Sequence, residues 1–218
     1  MERPPKISGP DDFARVFDVS RETVARLETY EALLQRWSHV QDLVAPGTMS
    51  ELWHRHFADS AQLLRLAPDA RTWLDLGTGA GFPGLVIAIL LNGQDDIRVH
   101  LIESNTRKCA FLKDVARQTA APVDIYAVRI EDLATQHRLP QIDVVTARAL
   151  APLGDLLELA APFFRSETAG LFLKGRTAAD EVREAGERWR FSAELHESLT
   201  DSEARIVLIR HLSPRGRS

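Results

Sequence analysis

Cysteine is nearly missing from this chain: the 218 residues contain one, Cys109, so no intrachain disulfide can form and a reduced, cytosolic setting fits best. Long apolar runs are missing too. The longest, Leu85 to Leu91, is far short of the roughly 20 residues that cross a bilayer. The N-terminus is charged and proline-rich with no apolar h-region, so it does not read as a secretory signal. Neither sign of charge is in large excess: 27 Lys+Arg stand against 31 Asp+Glu, a net charge of −4 that speaks mildly against a protein wrapping naked nucleic acid by bulk electrostatics. No HExxH, CxxC or GxSxG motif occurs, which removes the common metal, redox and nucleophile-elbow signatures.

What is present is a globular α/β pattern, 44% hydrophobic and 27% charged. Met1 to Pro10 reads as a loose arm. Ser20 is placed to cap a helix carrying Val24, Leu27, Tyr30, Leu34 and Trp37, Pro46 and Gly47 break the chain, and Ser50 is placed to cap a second helix that stops before Pro68. From Thr72 onward strands alternate with helices. The strands fall at Thr72–Leu76, Val99–Glu103, Val123–Val128, Ile142–Ala147, Gly170–Lys174 and Ile206–His211, with helices at Pro83–Leu91, Thr106–Gln118, Pro152–Phe163 and Ala178–Trp189. That alternation predicts a mostly parallel sheet with helices on both faces. One domain over residues 1–218 is expected, with 1–67 as a helical extension that packs on the sheet or roofs its crevice and 68–218 as the ligand-binding core.

The most informative segment is Leu74-Asp75-Leu76-Gly77-Thr78-Gly79-Ala80-Gly81-Phe82-Pro83-Gly84, glycine-rich between a strand and a helix. Gly79 to Gly84 fits the GxGxxG dinucleotide fingerprint, while Asp75 before Gly77-Thr78-Gly79-Ala80-Gly81 fits the loop of S-adenosylmethionine (SAM) enzymes. Charge separates the two. A pyrophosphate on this turn would be repelled by Asp75, whereas the sulfonium and ammonium of SAM are attracted, by about 4 kcal/mol at 4 Å and an effective dielectric of about 20 before desolvation. The competing role for Asp75 is to cap the following helix. Glu103, ending the second strand, is placed to bind ribose hydroxyls for either nucleotide. About 100 residues follow it, too few for the second catalytic domain of a nicotinamide oxidoreductase, which leaves that activity as the weaker alternative. A SAM-binding module without catalysis is a third.

The loop with its Phe82-Pro83-Gly84 ending resembles that of the bacterial 16S ribosomal RNA guanine-N7 methyltransferases, the glucose-inhibited division protein B family. The resemblance extends through Asp42-Leu43-Val44-Ala45, Trp53-His54-Arg55-His56-Phe57-Ala58-Asp59-Ser60, Arg107-Lys108 with Phe111-Leu112, Arg129-Ile130-Glu131, Ala147-Arg148-Ala149 and Lys174-Gly175. Asp42, Ala147 and Leu150 depart from the family's asparagine, serine and phenylalanine. The resemblance implies a Rossmann-like class I SAM-dependent methyltransferase fold, SAM as cofactor, and 16S rRNA, within the small ribosomal subunit or its precursor, as partner. It also implies that Gly77 and Phe82 line the cofactor loop, Ile130 and Glu131 the adenine end, and Arg148 the mouth of the site.

Guanine N7 carries a lone pair and no proton, so methyl transfer to it needs alignment more than a base, and no metal. Arg148 is expected to position cofactor or RNA backbone, with a surface pair to Asp143 or Asp155 as the alternative. Lys174 is a candidate for an RNA phosphate. Arg36, His54, Arg55, Arg210, Arg215 and Arg217 are further candidates, each as readily solvated. Gly170 to Thr177 has P-loop spacing, but Arg176 replaces the lysine and the interior is an apolar strand. Cys109 shares a face with Leu112 and Val115 and reads as core. His54 and His56 diverge on a helix, which disfavours a metal pair. An acidic chain with scattered basic residues is expected to bind free RNA weakly and to prefer a shaped ribosomal surface.

Overall fold

The computed structural model describes residues 6–45, 47–136 and 139–216; Met1 to Pro5, Pro46 and Arg217, all used above, lie outside them. Seven strands form one sheet in the order β3-β2-β1-β4-β5-β7-β6. These are β1 Thr72–Leu76, β2 Arg98–Ile102, β3 Val123–Tyr126, β4 Val144–Arg148, β5 Ala169–Lys174, β6 Trp189–Glu197 and β7 Arg205–Pro214. The first five pair in parallel, β5 pairs with β7 antiparallel, and β7 pairs with β6 antiparallel. The parallel strands are apolar on both faces because helices cover both. Along β1, Trp73 joins one core cluster while Leu74 and Leu76 join the other.

On one face lie α1 (Pro10–Phe17), α2 (Arg21–Ser38), α4 (Gly84–Leu90) and α5 (Thr106–Thr119). The core on that side includes Phe13, Tyr30, Phe57, Phe82 and Phe111. On the other lie α6 (Ile130–Gln136), α7 (Leu153–Ala160) and α8 (Ala178–Arg188), with Leu133, Leu157 and Ala185 among the buried residues. Ser20 caps α2 as expected, its hydroxyl accepting from the Thr23 N–H.

Four local expectations need correction. The arm before Pro10 is anchored in its described part: Ile7 is buried and its N–H donates to His54 Nδ1. Ser50 caps no helix; its hydroxyl donates to the Gly47 carbonyl. Residues 49–66 run instead through a 3-10 turn, a wide π-turn over Trp53–Ala58, the single α-turn α3 (Asp59–Ala61) and another 3-10 turn. The wider turn sets Trp53, His56, Phe57 and Ala58 inward together, all buried. Finally, α1, α6 and β6 had no counterpart in the sequence reading.

The N-terminal segment is built into the glycine loop. The Tyr30 hydroxyl donates to the Ala80 carbonyl, and the Tyr30 ring stacks on Phe82 at 5.5 Å. The ring is fully buried, so its hydroxyl has no water to fall back on. Tyr30→Phe leaves that carbonyl unpaired and is expected to lower unfolding stability by about 1–3 kcal/mol, read from urea denaturation. An unchanged midpoint would show that the contact contributes nothing.

Candidate methyl-transfer site

Three cavities lie in a row along the carboxyl ends of the parallel strands, where open α/β sheets bind ligands. The first, about 330 Å³, is lined by Gly77, Gly79, Glu103, Ile130, Glu131 and Leu150. Five of the residues expected to hold a cofactor therefore meet around one space, large enough to fall in the usual range of about 300–1,000 Å³ for small-molecule sites. Gly77 has φ +63°, and a Cβ there would stand 2.7 Å from Leu150 Cδ1, so only glycine lets the loop and Leu150 close on each other. Glu103 is buried, with Oε2 accepting from the Gly79 N–H at 3.0 Å and Oε1 from the Asn105 N–H at 2.7 Å. Each oxygen keeps a second lone pair for a hydroxyl. Ile102, Ile130 and Leu159 supply apolar wall, and Lys108 lines the same space.

Asp75 is not in that cavity. It is 1% exposed, its Oδ2 accepts from the Gly84 N–H at 2.9 Å, and its Oδ1 accepts from the Thr146 hydroxyl at 2.8 Å. Thr146 is its register partner on β4, which puts the two side chains on the same face. The expected attraction to cofactor cations gives way to the competing role: Asp75 fixes the start of α4. Burial lifts its pKa from 3.8 to about 6, and its hydrogen bonds pull it only part of the way back. A Cβ at Gly84 would lie 2.8 Å from Asp75 Oδ2, so this approach too requires glycine.

Phe82 and Arg148 also lie outside the first cavity. Phe82 is buried under the N-terminal segment, with His56 at 4.8 Å and Tyr30 at 5.5 Å between ring centroids. It supports the loop from behind rather than lining it. Arg148, ending β4, lays its guanidinium 4.9 Å from the Phe82 ring centroid, within cation–π range. Its Nη2 donates to His56 Nδ1 at 2.8 Å, its Nη1 donates to the Arg55 carbonyl at 3.1 Å, and Nη1 stands 3.5 Å from Asp59 Oδ2. The alternative partners are engaged elsewhere. Asp143 accepts from the backbone N–H groups of Arg71 and Thr72, and Asp155 pairs with Arg188.

Because an arginine can only donate, His56 must accept at Nδ1 and carry its proton on Nε2, which donates to Thr48 Oγ1 at 3.0 Å. The Thr48 hydroxyl donates in turn to the Ala45 carbonyl at 2.8 Å. Burial, with Arg148 and Arg55 nearby, depresses the His56 pKa to about 3, so the ring stays neutral. The segments 42–45, 53–60 and 147–149 thus meet in one network. His56 and Asp59 were missed as site residues; their only sequence signal was membership of the Trp53–Ser60 motif.

Arg148 lines the second cavity, about 440 Å³, with Asp59, Leu150, Ala151, Leu173 and Glu181. Leu150 is the wall between the first and second cavities. It returns over Gly77 because Ala149 adopts a left-handed φ of 52°, a conformation costing roughly 1 kcal/mol that the surrounding contacts must sustain. Lys174 lines this cavity but its ammonium is not free: Nζ pairs with Glu181 at 2.8 Å and the side chain is 10% exposed. A phosphate reaching Lys174 would have to compete with that pair.

The third cavity, also about 440 Å³, is bordered by Lys6, His54, Arg55, Asp59 and Thr200. Arg55 is half exposed there, 3.8 Å from Glu51. His54 clips Ile7 to Thr200, while His56 turns to Arg148, so the two histidines do diverge. Cys109 is core, its thiol on the Glu103 carbonyl. Among the described residues no three His, Cys, Asp or Glu side chains are grouped as metal ligands, and no helix is long and apolar enough to cross a membrane.

Comparison with known proteins decides the family. The model of the GidB family, described as rRNA small subunit methyltransferase G, matches residues 23–212. The chain belongs to the GidB family. Its relatives include the ribosomal RNA small subunit methyltransferase G of Methylorubrum populi, 54% identical over 90% of this chain and 92% of that one. The enzyme of the same name from Parvibaculum lavamentivorans is 49% identical over 95% and 92%. Among solved structures, the Bacillus cereus O-methyltransferase in complex with SAH is 14% identical, with a TM-score of 0.60 over 92% of this chain and 96% of that one. TomG of Streptomyces achromogenes, an O-methyltransferase in complex with SAM, is 16% identical, with a TM-score of 0.55 over 85% and 89%. At that distance the likeness is one of fold, the class I methyltransferase arrangement that the sequence led us to expect. Membership of GidB makes the chain a methyltransferase and removes both the nicotinamide oxidoreductase and the non-catalytic binding module.

Proposed function

We propose that this GidB enzyme transfers the methyl group of SAM to N7 of a guanine in 16S rRNA, within the small ribosomal subunit or its precursor, in the cytoplasm. The observation that carries the proposal is the pair of cavities sharing Leu150, one built around Glu103 and the glycine loop, the other around Arg148. The residues present suit the cofactor. Glu103 would take the ribose hydroxyls, Ile130 and Glu131 would border the adenine, and Gly77 and Gly79 let the backbone approach. SAM supplies an electrophilic methyl group when bound. The chain supplies alignment: N7 attacks with its own lone pair, no proton is lost, and positive charge passes to the guanine ring. Arg148, fixed by Phe82, His56 and Asp59, would position the reactants at the partition rather than act as acid or base. Residues 1–67 belong to the same domain on this reading, because they hold Arg148 and the loop from behind. Arg55, exposed at the rim of the third cavity, is the basic group best placed to meet RNA backbone.

The test is transfer of labelled methyl from SAM to isolated 30S subunits, followed by nucleoside analysis. The wild type is expected to yield 7-methylguanosine in 16S rRNA, and Arg148→Ala to slow transfer by roughly 100-fold, the usual loss for misaligned reactants. Label appearing in any other nucleoside, or in none, would refute the assignment.

A further inference from the structure

The geometry points to Asp59 as the residue that selects guanine, its carboxylate Oδ2 accepting the N1–H and N2–H of the target base in the second cavity. This inference rests on the guanine-N7 reading above. The two oxygens of Asp59 are held unequally: Oδ1 by two hydrogen bonds, Oδ2 by a long ion pair with Arg148 alone. Oδ1 accepts from Gln62 Nε2 at 2.9 Å and from the Thr200 hydroxyl at 2.8 Å. The neighbour of Oδ2 is Arg148 Nη1 at 3.5 Å, well beyond the roughly 2.7–2.9 Å of a charge-assisted hydrogen bond. The Asp59 side chain is 16% exposed, sheltered from bulk water while still lining the cavity. Burial raises the Asp59 pKa, and Arg148 and the Thr200 hydroxyl offset it only in part.

Both oxygens of the other carboxylate of that cavity already hold short hydrogen bonds. Glu181 accepts from Lys174, from the Leu153 N–H and from the Thr177 hydroxyl. Leu150, Leu173 and Ala151 give the cavity apolar sides suited to a planar base. Across Leu150 lies the cofactor-loop cavity. A base whose reacting atom points to that partition presents its opposite edge away from it. In guanine the edge opposite N7 is N1–H and N2–H, two donors side by side; adenine offers no N1–H and cytosine has no N7. A carboxylate oxygen on the far wall therefore fits guanine.

The measurement compares rates on small subunits reconstituted with 16S rRNA that carries guanosine, inosine or 1-methylguanosine at the nucleotide the wild type methylates. Inosine keeps N7 and lacks the N2 amine; 1-methylguanosine lacks N1–H. The wild type is expected to be about 10–100-fold slower on either analogue, the size of a hydrogen bond to a charged group. Asp59→Asn is expected to fall to that level on guanosine and to discriminate less than about 3-fold among the three; its Tm is expected to drop, because the ion pair with Arg148 is lost, while SAM affinity, set in the first cavity, stays near wild type. If that variant does not fold, Asp59→Glu, which keeps the charge but displaces the oxygen, is expected to lose the same discrimination. Equal wild-type rates on all three RNAs, or a folded variant that still prefers guanosine, would overturn the role of Asp59 and leave the methyltransferase reading standing. No transfer to the guanosine subunits by the wild type would overturn both.

Discussion

Asp75→Ala is expected to lower unfolding stability by about 3–5 kcal/mol, the largest single effect away from the apolar core. Asp75 lies outside the cofactor-loop cavity, and the substitution strands the Gly84 N–H and the Thr146 hydroxyl, both held by Asp75 inside the protein. Each buried donor left without a partner costs about 1–3 kcal/mol. Asp75→Asn should be far milder, because the amide can accept from Gly84 and donate to Thr146, whose hydroxyl can turn to accept. The two variants also separate charge from shape. With a folded pKa near 6 against 3.8 unfolded, the unfolded chain loses this proton first as pH rises. Stability should therefore fall by about 3 kcal/mol between pH 4 and 6 on account of this group and level off above. Asp75→Asn should remove that slope. Urea denaturation of the three proteins at pH 4, 5, 6 and 7 checks it; an unaltered slope in Asp75→Asn would mean that another group titrates there. If Asp75→Asn also binds SAM like the wild type, the carboxylate is architectural.

The second large effect is expected at Glu103. Two charge-assisted hydrogen bonds to ribose hydroxyls, at about 1.5–3 kcal/mol each, would be lost in Glu103→Ala, along with the anchor on the Gly79 N–H. Calorimetric titration with SAM should show affinity falling by about 100-fold or more. Glu131→Ala is the comparison: its side chain is about half exposed and pairs with Arg129 at 3.2 Å, so its contribution is screened. A fall of less than 10-fold is expected there. Equal effects at the two positions would mean that the ribose does not sit on Glu103.

The sequence was most legible where burial is continuous. β1 was read to the residue, and β2 to β5 and β7 to within a few: the inner strands because burial on both faces makes them mostly apolar, and β3, at the edge, from its branched and aromatic Val123, Ile125 and Tyr126. β6, one of the two edge strands, does alternate, with Trp189, Phe191, Ala193 and Leu195 between polar residues; it escaped because the helical pattern of Ala178 to Trp189 was carried into its first residue and the strand is mostly exposed. α6 is seven residues long, with acids at its start, and looks like loop. Ser50 has the chemistry of a cap, but the wide turn that follows is imposed by packing Trp53, His56 and Phe57 inward.

The site was half legible for a similar reason. Gly77, Gly79, Glu103, Ile130 and Glu131 sit in short segments just after strands, and the sheet carries them to one place. Arg148, Lys174 and Asp75 were named, but their partners were not, since Asp59, Glu181 and Thr146 come from other elements. A residue's type shows what it can bond; only the fold shows what it has already bonded.

The turn between the last two strands has a temporal meaning. Thr200 holds Asp59 and His54, and the Leu199 N–H holds Gln62 at 2.8 Å, so the wall of the second cavity is joined across about 140 residues of chain. During synthesis every residue of the cofactor loop is in place long before residue 200 emerges, yet Asp59 and Gln62 wait for that turn before their bonds can close. The wall of the second cavity is therefore the part of the site completed last, by a turn made about 140 residues after the groups it fixes.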